Sequence, residues 1–113
     1  MVFLKVVEIL RSLMEKISDK GEKMNIKFNK ALFMLDKGKY EEGLELLEKA
    51  FGEEENVYTR LEIKSCMMEV FYEIGEIEKA SKCMDFIFQH TSEEDDSRAR
   101  EIAIKIREEI KDK

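Results

Sequence analysis

The segment from Gly38 to Ala50 recurs in weakened form 37 residues further along the chain. Gly38 maps onto Gly75, Tyr40 onto Ile77, Gly43 onto Ala80, Leu47 onto Met84 and Phe51 onto Phe88. An internal repeat of this period, in a chain of good helix formers, indicates helical hairpins stacked on one another. Proline is absent and only five glycines are present, so few residues break helices and those that do mark boundaries. At 113 residues the chain is one domain that buries roughly two thirds of its unfolded surface, without need of a disulfide or metal.

Hydrophobic periodicity predicts about six helices. The first covers Val2 to Ile17, with Phe3, Val6, Val7, Leu10, Leu13, Met14 and Ile17 along one face. The second covers about Glu22 to Asp36 and carries apolar residues on more than one face, so neighbours are expected on two sides. Lys37-Gly38-Lys39 is a tight turn with Gly38 in the left-handed cap position. A third helix runs from Tyr40 to Phe51 and is stopped at Gly52. A fourth, capped by Asn56 or Thr59, ends at Gly75, and a fifth spans Ile77 to Gln89. Thr91-Ser92 is expected to cap a sixth, with Glu93, Glu94 and Asp95 complementing its dipole and Ala99, Ile102, Ala103, Ile106 and Ile110 forming its apolar stripe. The fold class is all-α, antiparallel hairpins stacked as a short α-solenoid. Residues 1–21 form an N-terminal packing helix, 22–52 and 56–90 the two repeats, and 92–113 a C-terminal capping helix.

Charge narrows the partners. Of a net −6, residues 1–50 carry +1 (ten Lys/Arg against nine Asp/Glu) and residues 51–113 carry −7 (ten against seventeen). Acidic runs such as Glu53-Glu54-Glu55 repel a phosphate backbone, which argues against nucleic acid. The apolar N-terminal stretch is interrupted by Lys5 and Glu8 and is too short to span a bilayer, so no membrane partner is expected. Cys66 and Cys83 lack CxxC spacing and read as buried hydrophobes of a reducing compartment, which makes a cytoplasmic location the simplest expectation.

The first unit, with Ala31, Leu35, Gly38, Tyr40, Gly43, Leu47 and Ala50, resembles the tetratricopeptide repeat. Small residues at Ala31 and Gly43 allow close helix approach, and Tyr40 packs at the hairpin base. The second unit departs from the pattern. Met68 replaces the small residue, Ile77 the aromatic and Ile87 the alanine, although Gly75 and Ala80 are kept. The period also exceeds the family's usual value of about 34, with the excess placed in residues 52–56.

The resemblance implies a concave groove lined by the first helix of each hairpin. One wall would comprise Asn25, Phe28, Asn29, Leu32, Leu35 and Asp36. The other would comprise Glu62, Ser65, Cys66, Glu69, Tyr72 and Glu73. A peptide or helix with one apolar edge and some Lys/Arg would be complementary. The branch of the family that clamps a C-terminal carboxylate uses Lys and Asn where this chain has Phe28, Leu32, Ser65 and Glu69, so such a tail is not the expected ligand.

No catalytic, cofactor-binding or metal-binding set is apparent. His90 is the sole histidine, without a second ligand at usable spacing, and Glu69 and Glu73 lack the Glu-x-x-His partner of a helical metal site. The expected function is therefore a non-enzymatic interaction module, an adaptor or scaffold binding a basic or amphipathic protein segment. The alternative is a self-assembling helical unit that pairs through Phe3, Val7 and Leu10 or through Ile104. Exposure of Leu32, Leu35 and Tyr72 distinguishes an open groove from one filled as core.

Overall fold

The computed structural model describes residues 25–95 and 97–112. The first expected helix, residues 2–17, lies outside them. Among the described residues the chain forms five α-helices and no strand: α1 (Ile26–Asp36), α2 (Tyr40–Glu53), α3 (Val57–Glu73), α4 (Ile77–His90) and α5 (Arg98–Lys111).

The repeat is visible at the level of individual hydrogen bonds. After α1, Gly38 turns the chain at φ 80°, its N–H donates to the Leu35 carbonyl, and the Lys39 N–H reaches back to Met34. After α3, Gly75 adopts φ 86°, its N–H donates to Tyr72, and the Glu76 N–H reaches back to Phe71. These are two copies of one Schellman-type closure, in which only glycine accepts the left-handed conformation without strain. Each closure leads directly into the next helix, at Tyr40 and Ile77 respectively. The equivalent positions Gly43 and Ala80, Leu47 and Met84, and Ala50 and Ile87 are all buried.

Gly43 sets the spacing of the first hairpin. A Cβ built there would lie 2.6 Å from Leu35 Cδ2, 2.8 Å from Leu35 Cγ and 3.4 Å from the Ala31 carbonyl oxygen, so the Leu35 side chain packs against the bare glycine and would have to shift for any larger residue. The open end of this hairpin is tied by Asn25. Its Oδ1 caps α1 by accepting from Phe28 N–H, while its Nδ2 donates to Glu54 Oε1 and to the Ala50 carbonyl. A Lys27–Glu53 ion pair flanks the same junction.

Helix α3 is the centre of the molecule. It packs against α2, α4 and α5, and α4 also packs against α5. Consequently every residue from Ser65 to Tyr72 is buried, whereas a surface helix would bury a single stripe. The core gathers Phe28, Leu35, Leu47, Ile63, Met68, Val70 and Ile87, with Ala99, Ala103 and Ile106 closing it from α5.

Two boundaries differ from the sequence expectation. Asn56, rather than Thr59, caps α3, accepting from the Tyr58 and Thr59 amides. The last helix starts at Arg98 instead of near Thr91, capped by Ser97 Oγ. Thr91 instead terminates α4, its hydroxyl donating to the Ile87 carbonyl. Ser92 N–H donates to the Asp95 carboxylate and Asp95 N–H returns to the Ser92 carbonyl. The polar cluster thus closes a turn of its own, as short polar side chains do in competition with a helix.

Candidate functional site

The twelve residues expected along the groove fall into three groups. Phe28, Leu32, Leu35, Ser65, Cys66, Glu69 and Tyr72 are buried, Asn25, Asn29, Glu62 and Glu73 are partly exposed, and Asp36 is exposed. The residues that decide the matter, Leu32, Leu35 and Tyr72, retain only 4%, 1% and 8% of their accessible surface. They behave as core. Nor do the two walls rest on each other: α1 is joined to the rest through α2, and its contact with α3 is at most marginal.

What remains accessible on this face is polar. Asn25 is committed to capping and tying α1, which leaves Asn29, Asp36, Glu62 and Glu73 as its rim. Glu73 lies close enough to Tyr40 to help raise that phenol's pKa, after the larger effect of burial. Burying a carboxylate and a hydroxyl is costly unless they are satisfied, yet Glu69 and Ser65 both lie in the interior of α3. Glu62, Glu69 and Tyr72 all have interaction partners in the fold. Ser65 Oγ has no hydrogen-bond partner among the described residues.

Neither cysteine is poised for thiolate chemistry. Burial, then the neighbouring Glu69 and Glu62, push the Cys66 thiol well above its ordinary range. Burial raises Cys83 too, and the opposing pull of Lys64 does not overcome it. A reactive thiolate needs the reverse balance. Both thiols are free.

His90 is exposed at the end of α4, where Nδ1–H donates to the Phe86 carbonyl at 2.8 Å and the ring stacks on Phe86 at 4.1 Å. Phe86 meets Phe51 edge-on at 5.2 Å, and Arg60 lies 3.8 Å over the Phe51 ring. The Arg60 guanidinium also donates to the carbonyls of Phe51 and Glu54. This cation–aromatic cluster therefore closes the end of α2 against α3 and α4, and these polar contacts serve the fold. Among the described residues no group of His, Cys, Asp and Glu could hold a metal ion, and no helix is long and apolar enough to cross a membrane.

One surface was not anticipated. Among the described residues, Ile26 is 70% and Phe33 59% exposed on the side of α1 away from the core. With Lys30 and Lys37, also exposed, these residues follow an i, i+4, i+7, i+11 line directly opposite the buried Phe28, Ala31, Leu32 and Leu35. The spacing was present in the sequence, but only the packing of α2 on the other side shows which face stays open.

No family model, curated protein or solved structure matches this chain.

Proposed function

We propose that this chain is a small protein-interaction module, built as a short stack of tetratricopeptide-like hairpins, that recognises a basic protein segment through the polar rim of its α1–α3 face. One observation carries the reading. Leu32, Leu35 and Tyr72 are buried, whereas Asn29 and Asp36 on α1 and Glu73 on α3 reach solvent. A partner would thus meet carboxylates and an amide, and Lys or Arg side chains complement them. The duplicated glycine closure supports the stacked-hairpin description.

The test is affinity capture from a lysate of the source cells with the wild-type chain and an Asp36→Lys/Glu73→Lys variant. A stoichiometric partner that the variant loses, at unchanged helicity and melting temperature, supports the rim as the binding surface. Equal capture by both proteins removes the rim from the account.

A further inference from the structure

The exposed stripe on α1 differs in charge from everything that follows it. Residues 25–39 carry four lysines against Asp36, a net +3, whereas residues 40–113 carry eleven Lys/Arg against twenty-one Asp/Glu, a net −10. Among the described residues Lys30 and Lys37 make no ion pair, and Lys37 Nζ rests 4.4 Å over the Phe33 ring. The stripe is therefore an apolar strip edged by two cations.

Its chemical complement lies on the same chain. At the α3–α4 turn Ile74 and Ile77 are 43% and 37% exposed. The exposed Glu76 and Glu78 beside them make no ion pair among the described residues. The other acidic and apolar corner, around Val57 and Tyr58, has two of its three glutamates engaged and keeps only Glu55 exposed without an ion pair among the described residues. There Glu53 is held by Lys27, and Glu54 by Asn25 and the Asn56 amide. Pairing two α1 stripes across a two-fold axis would oppose Lys30 and Lys37 of each copy to the other's, and like charges disfavour that arrangement.

We propose that the α1 stripe of one molecule (Ile26, Lys30, Phe33, Lys37) docks on the α3–α4 corner (Ile74, Glu76, Ile77, Glu78) of a second copy. The contact is heterologous, so each molecule retains one unused surface of each kind and assembly continues head to tail. With two apolar residues on each side the contact is smaller than a standard stable interface of about 800 Å² per partner, which implies weak association. It uses none of the rim residues, so it stands or falls separately from the rim's partner.

Sedimentation equilibrium of the whole chain tests the proposal, with two variants altered at exposed positions: Phe33→Asp on the stripe and Ile77→Asp on the corner. Circular dichroism confirms that each keeps the wild-type helicity. The wild-type weight-average mass is expected to rise with concentration over roughly tens of micromolar to millimolar, and to fall back as salt is raised from about 0.05 to 0.5 M. Each variant alone should remain monomeric. An equimolar mixture of the two should form a 1:1 complex that grows no further, because it contains one intact stripe and one intact corner. A wild-type monomer at every concentration and salt overturns the proposal and leaves the stripe to a foreign protein or an anionic membrane. Self-association of the Ile77→Asp variant overturns it too, by showing that the corner is not the docking partner.

Discussion

Gly43→Ala is the most informative single substitution, because it opposes two effects of similar size. Alanine in a helix interior is favoured over glycine by about 0.8–1 kcal/mol. At position 43, however, the new methyl would lie 2.6 and 2.8 Å from two carbons of Leu35, where about 3.5–4.0 Å is the comfortable separation. Leu35 must therefore move by about 1 Å, and it is buried beside Ala31 and Leu32 with little room to do so. Overpacking of this kind costs about 1–3 kcal/mol, leaving a net loss of about 0–2 kcal/mol. Gly52 provides the reference. It lies in the same helix, and a Cβ added there would meet no atom within 4 Å, so Gly52→Ala should be neutral or stabilising by up to about 1 kcal/mol. The assay is urea unfolding followed by helical circular dichroism. With a slope of about 2 kcal/mol/M, a gap of about 1–3 kcal/mol separates the two midpoints by about 0.5–1.5 M. If Gly43→Ala is as stabilising as Gly52→Ala, the close packing of Leu35 on Gly43 is wrong.

Other outcomes follow from the same packing. Tyr72→Ala should lower stability by about 3–5 kcal/mol, and Leu32→Asp, which places a carboxylate in the core, should abolish the cooperative unfolding transition; wild-type melting of either variant would show that the groove is open after all. Gly38→Ala and Gly75→Ala each force a side chain into a left-handed turn and should cost about 1–2 kcal/mol by equilibrium unfolding, with Asn milder than Ala at both positions and the two sites equal within error. Because Cys66 has a raised thiol pKa in the folded state, its contribution to stability is complete below the ordinary value of 9.0 and is lost as pH rises toward the folded value. Cys66→Ala should flatten part of that alkaline decline, and a thiol-labelling reagent at neutral pH should modify Cys66 and Cys83 only after denaturation, so rapid labelling of the native protein would contradict their burial.

Much of the fold was legible because local chemistry and global packing agree at particular residues. Gly38 and Gly75 stop their helices through a backbone conformation that glycine alone adopts cheaply, so the hairpin turns could be read from two letters and their spacing. The start of α5 could not. Thr91, Ser92 and Asp95 are all good capping residues, and the choice among them depends on which amide each side chain meets once α4 has ended. The expected groove met the same difficulty. Leu32, Leu35 and Tyr72 have the spacing of a binding face and of a core face alike.

Composition, the 37-residue repeat and the glycine turns were therefore sufficient to determine an all-helical chain with two glycine-closed turns between helices and a strongly acidic C-terminal part. These are properties of short stretches, set by backbone sterics and side-chain charge. Tertiary structure decided which faces are covered. It placed α3 at the centre, so that Ser65 and Glu69 became interior residues. It also left Ile26 and Phe33 in solvent beside Lys30 and Lys37. The exposure of a helix face depends on every element packed around it, and no periodicity within that helix encodes it.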